Sequence, residues 1–141
     1  MERLLLVTDE TQFIPPLMLP ELLKCIERRE DVEVVAACPT TPLSVPALIW
    51  GWRKRYFERR LQKVFSASKS SWPWPDARWL RKLSSKYDFP ILAPTNSNFS
   101  DVAFLRRLRQ EFQPSMILNC YGLVKLPLEF LSIADIAVNY H

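Results

Sequence analysis

Glycine is nearly missing from this chain: two in 141 residues, Gly51 and Gly122. The Gly-x-Gly-x-x-Gly dinucleotide loop and the Walker phosphate loop each need closely spaced glycines, so both are excluded. Histidine is scarcer still. The single residue His141 excludes zinc sites built on two or more histidines and routes any histidine-dependent catalysis through that position. The three cysteines, Cys25, Cys38 and Cys120, are too few and too scattered for a disulfide framework or a Cys-x-x-Cys metal site. They read as small core hydrophobes, and a reduced, cytoplasmic setting is the simplest expectation. No apolar run nears the roughly 20 residues of a membrane span. The opening Met1-Glu2-Arg3, followed by Leu4-Leu5-Leu6-Val7, is too short and too soon acidic for a signal peptide.

What is present suits a globular domain: 48% hydrophobic and 24% charged residues in a length that fits one domain. The net charge of +4 hides a split. Between Arg53 and Lys86 stand eleven basic residues and two acids, a local charge of +9, while the remainder carries −5. Such asymmetry suits a polyanion such as nucleic acid or an anionic surface; a solvated helix face is the plain alternative.

Periodicity sets out the elements. Arg3 to Thr8 is a short apolar strand. A helix follows to about Arg29, with Leu19, Leu22, Leu23 and Ile26 spaced three and four apart. Pro20 is tolerable only in a first turn, which places the helix start near Leu17. Val32 to Cys38 is a second strand, rich in β-branched residues. From about residue 43 to 75 runs a basic, Trp-rich insertion, in which Phe57, Leu61, Val64 and Phe65 share one face of an expected amphipathic helix. Asp76 can cap a helix to about Lys86, and Pro90 to Leu92 is a short strand. A helix opens at Ser100 or Asp101 and ends before Pro114. Ser115 to Cys120 is a strand, Leu126 to Leu131 a helical turn, and Ile136 to Tyr140 the last strand. Strands alternating with helices predict an α/β fold: a Rossmann-like, open, mostly parallel sheet with helices on both faces.

In such sheets ligands bind at the carboxyl ends of the strands. Asn119-Cys120-Tyr121-Gly122 ends one strand and Asn139-Tyr140-His141 ends the last. Residues two apart share a strand face, so Asn139 and His141 are expected to project together, with Tyr140 opposite. An amide beside an imidazole suits a carbonyl whose oxygen gains negative charge: the amide holds the oxygen and the imidazole moves a proton. A polar strand end without chemistry is the alternative. Gly122 reads as a turn residue needing positive φ, and Tyr121 as core or rim.

The order of these segments resembles the N-terminal, Rossmann-like domain of the 10-formyltetrahydrofolate-dependent formyltransferases, methionyl-tRNA formyltransferase in style. Four segments carry the likeness: Leu5 to Leu23, Leu80 to Pro94, Asn98 to Gly122 with its strand ending in Tyr-Gly, and Leu126 to His141 running into Asn-x-His. Together they span most of the chain outside Pro39 to Pro75. The resemblance implies that Asn139 and His141 are catalytic and that Tyr121, Gly122, Leu123 and Val124 hold the pterin of the formyl donor, 10-formyltetrahydrofolate. It further implies formyl transfer to an amine acceptor, methionyl-tRNA-like or an amino sugar, through a tetrahedral intermediate. No metal is implied. In the family a Ser-Leu-Leu-Pro type loop and a later aspartate follow the histidine; this sequence ends at His141, so it is expected to be an incomplete, truncated catalytic domain. The turn after Gly122 is one residue longer than the family's. A glycinamide ribonucleotide substrate is disfavoured, because Thr8 to Phe13 lacks the glycines that would hold its phosphate. The competing expectation is a non-catalytic α/β binding module that uses the basic segment for nucleic acid or an anionic surface.

Overall fold

The computed structural model describes residues 1–12, 14–40, 51–53, 55, 56, 59, 60, 78–122 and 124–140. Four strands, β1 (Glu2–Thr8), β2 (Val32–Pro39), β3 (Met116–Cys120) and β4 (Ile136–Tyr140), form one sheet in the order β2-β1-β3-β4. All neighbours are parallel. Parallel strands are covered on both sides, which is why β1 reads as an unbroken apolar run rather than an alternation: Leu5, Leu6 and Val7 are wholly buried.

The period of two sorts the side chains. Leu5, Val7, Ala36, Cys38 and Ile117 face one layer, made by α3 (Val102–Arg107), its continuing π turn Leu108–Phe112, and the short α4 (Leu128–Leu131). Leu4, Leu6, Ala37 and Cys120 face the other, made by α1 (Pro15–Glu27) and α2 (Trp79–Tyr87). Each buried leucine contributes about 1.5–3 kcal/mol by leaving water, so these two cores dominate the favourable side of folding. The fold is therefore an α/β sandwich around an all-parallel sheet, Rossmann-like in strand order.

Local chemistry explains most boundaries. Asp101 caps α3, its carboxylate accepting from the Ala103 amide at 3.1 Å. Among the described residues β4 is an edge strand, with Ile136, Val138 and Tyr140 between 45 and 48% exposed. Two expectations change. The first helix opens on Pro15, not near Leu17, so Pro20 stands inside it, beyond the first turn. Its ring nitrogen has no hydrogen to donate four residues back, and the helix tolerates this because Leu19 and Leu23 bury its inner face. The strand expected at Pro90–Leu92 shrinks to one bridge, Ile91 beside Ala37, held by Ala37 N to Pro90 O at 2.9 Å and Leu92 N to Ala37 O at 2.8 Å. With that bridge the lateral order reads third, second, first, fourth, fifth along the chain.

Of the expected insertion, the described residues 51–53, 55, 56, 59 and 60 are helical. Trp52 stacks on Tyr56, and Arg60 lies over the Tyr56 ring. Phe57, Leu61, Val64, Phe65 and the Asp76 cap lie outside the described residues.

Candidate functional site

The chain lays down β1, β2 and the Ile91 bridge on one side, then returns to place β3 and β4 on the other side of β1. In open α/β sheets ligands bind at the carboxyl ends of the strands, next to such a reversal. Two groups of polar residues stand at those ends.

The first follows β1. Asp9 is 1% exposed, and its carboxylate is saturated locally: Oδ1 accepts from the Thr11 amide at 2.6 Å and from the Thr11 hydroxyl, and Oδ2 from the Thr40 hydroxyl at 3.2 Å. Buried charge is tolerated only with such donors. The next residue, Glu10, is 3% exposed, and its Oε1 has no hydrogen-bond partner among the described residues. Burial pushes the Glu10 carboxyl above its ordinary range; Arg81 works against that shift and Asp9 adds to it. The loop backbone is held at two points, by Trp79 Nε1 on Glu10 O at 3.1 Å and by Arg53 Nη1 on Thr11 O at 2.8 Å.

The second group joins β3 to β4. Parallel pairing sets Asn119 opposite Asn139 and Cys120 opposite Tyr140. Asn119 and Asn139 thus share one sheet face, and Tyr140 takes the other, where its ring meets Tyr121 edge-on at 5.8 Å. Asn119 Nδ2 donates to Asn139 Oδ1 at 2.9 Å, and Asn119 Oδ1 accepts from the Gly122 amide at 3.0 Å. Beside this pair opens a cleft of about 490 Å3, lined by Asn119, Gly122, Val124, Lys125, Leu126 and Asn139, among others. That volume lies in the range of small-molecule sites.

Of the residues singled out from sequence, Gly122, Val124 and Asn139 come together on this cleft. Tyr121 does not line it; its ring packs on Tyr140 and its amide donates to Tyr140 O at 3.1 Å. Leu123 and His141 lie outside the described residues. The reason for Gly122 also changes. The positive φ of the turn belongs to Tyr121, at 58°, and not to Gly122. Glycine is needed there for close approach: a Cβ would stand 2.4 Å from Asn119 Oδ1 and 3.1 Å from Thr40 Cγ2.

Asn119 itself is not among the site residues that sequence reasoning picks out, although a lone amide in the apolar run Met116–Cys120 is a visible signal. Cys38 and Cys120 behave as core hydrophobes. Burial drives the Cys38 thiol far up and pushes Cys120 up to about 11, so neither supplies a thiolate near neutrality. Cys25 departs from that expectation and is exposed on α1. Among the described residues, no three His, Cys, Asp or Glu side chains gather as metal ligands, and no helix is long and apolar enough to cross a membrane. No family model matches this chain, and no curated protein matches it.

Proposed function

We propose that this chain carries the donor side of a formyl-transfer site, moving a formyl group from 10-formyltetrahydrofolate to an amine acceptor. The observation that carries the reading is the placement of Asn139. The residue that the formyltransferase resemblance makes catalytic stands at the carboxyl end of β4, on a cleft large enough for a pterin and walled by Gly122 and Val124, which the same resemblance assigns to the donor. An amide there can hold the formyl oxygen as it becomes an oxyanion during attack by the amine. In this reading His141, two residues on, moves the proton, and Tyr121 supports the turn through Tyr140 rather than touching the pterin.

The test is titration with 5-formyltetrahydrofolate, a reduced folate that keeps a formyl carbonyl. Saturable binding that weakens in Val124→Glu and in Asn139→Ala supports the reading. Absence of saturable binding removes it. Formyl transfer assayed separately with methionyl-tRNA and with an amino-sugar nucleotide distinguishes the acceptors.

A second reading has one observation of its own. Arg53 and Trp79 hold the same loop, so both basic helical segments reach the loop after β1. A module that grips nucleic acid or an anionic surface through these segments would lose binding steeply with salt, and would lose it in Arg55→Ala with Arg59→Ala. Salt-independent absence of binding removes this reading.

A further inference from the structure

We propose that Lys125 is a specificity-determining residue of the cleft beside β4, its ammonium taking a carboxylate of the formyl donor's glutamate tail. The inference deepens the formyl-transfer reading and rests on it.

The cleft follows one face of the sheet, along the pairs that set Ile117 opposite Ala137 and Asn119 opposite Asn139. Leu126 and Leu131 line it as well, so most of its wall is apolar. Among the described residues that line it, Lys125 is the one charged side chain. Arg3, Lys24, Arg29 and Arg107 each hold a carboxylate. Lys125 is exposed and, among the described residues, holds none and makes no hydrogen bond. A lysine carries its ammonium on a flexible four-carbon stem, so the charge can reach a group near the mouth of the cleft while it stays hydrated.

The charges of the ligand decide what that ammonium meets. The pterin ring and the formyl group of a reduced folate are uncharged near neutrality, and the ring that joins them to the tail is apolar. The charges lie on the two carboxylates of the glutamate tail. A neutral occupant of this cleft would leave Lys125 without a partner, whereas a carboxylated one supplies it. An exposed ammonium–carboxylate pair contributes about two- to fivefold in affinity. Lys125 therefore acts on the choice between ligands, and the body of the ligand is held by the apolar wall.

The experiment is a cycle of two ligands against the protein and its variants, read by titration calorimetry. The ligands are 5-formyltetrahydrofolate and its glutamate dimethyl ester, which keeps the pterin and the formyl group and removes both tail charges. The proteins are wild type, Lys125→Gln, Lys125→Arg and, as a control for general attraction of anions to a chain of net charge +4, Lys86→Gln. Lys86 lies over the Tyr87 ring and lines a different cleft. Wild type should favour the acid over the ester about two- to fivefold at about 50 mM salt, and less at about 500 mM, where charges are screened within a few ångströms. Lys125→Gln should lose that preference and still bind the ester as wild type does, a result that general loosening of the fold would not give. Lys125→Arg and Lys86→Gln should keep it. Equal binding of acid and ester by wild type overturns the inference and leaves the formyl-transfer reading standing. A preference that survives in Lys125→Gln, or that falls equally in Lys86→Gln, overturns it too. If neither ligand binds saturably, the formyl-transfer reading fails and the inference fails with it.

Discussion

Adding one methyl group at Gly122 should be costly, although no glycine-only backbone angle is involved. In Gly122→Ala the new Cβ stands 2.4 Å from Asn119 Oδ1, closer than carbon and oxygen approach without bonding, and 3.1 Å from Thr40 Cγ2. The β3 backbone is held on both sides by β1 and β4, so the Asn119 side chain must swing. That breaks the bond from Gly122 N at 3.0 Å and the bond to Asn139 at 2.9 Å. Each is worth about 1 kcal/mol net, and a buried group left unpaired adds about 1–3 kcal/mol, so the loss should be about 3–5 kcal/mol. Against a total of about 5–15 kcal/mol for a domain, this is large. Urea unfolding followed by tryptophan fluorescence reads it. With a slope of about 1–3 kcal/mol per molar, the midpoint should fall by about 1 M or more. Gly51→Ala is the control: Gly51 is helical, its added Cβ meets nothing within 4 Å, and the midpoint should hold or rise. A Gly122→Ala midpoint within about 0.3 M of wild type would refute the close-approach reasoning, because such a shift is under 1 kcal/mol.

Other consequences can be checked singly. Burial raises the Glu10 carboxyl, so the folded chain holds that proton more tightly than the unfolded chain does. Stability should therefore fall as pH rises from the ordinary value near 4.5 through the raised one, and Glu10→Gln should flatten that fall in denaturation curves taken at intervals from about pH 4 to about pH 7. Asp9→Ala leaves the Thr11 amide and hydroxyl without their acceptor, while the Thr40 hydroxyl keeps Thr8 O at 3.4 Å, and should cost about 2–4 kcal/mol in the same urea assay; an unchanged midpoint would mean that the Asp9 carboxylate does not hold the loop. In the native protein a thiol reagent should modify Cys25 and spare Cys38 and Cys120, which react only on unfolding; mass analysis of labelled peptides reads the pattern.

Legibility in the sequence tracks the range of the interactions. β1, β2, β3 and β4 are apolar runs with their own flanking punctuation, and each is readable from neighbours alone. The Asp101 cap is readable for the same reason. The start of α1 is not, because Pro20 is a strong local signal overruled by packing: Leu19 and Leu23 are buried among side chains that sequence distance conceals. The strand expected at Pro90–Leu92 reduces to one bridge, Ile91 beside Ala37, a difference that its apolar sequence does not announce.

The pairing of Asn119 with Asn139 is the clearest limit. Nothing in either residue's surroundings in sequence announces the other, 20 residues away, and the link exists only through a parallel register that sets residue 119 opposite 139. A shift of one residue would set Asn119 against Tyr140 or Val138, on the opposite face of the sheet. The Asn-x-His spacing could therefore suggest a site but could not say what holds its amide, whereas register supplies a partner and a glycine amide supplies the direction. Polar chemistry at a strand end is specified by the neighbouring strand as much as by its own, and Asn119 is where that dependence can be tested.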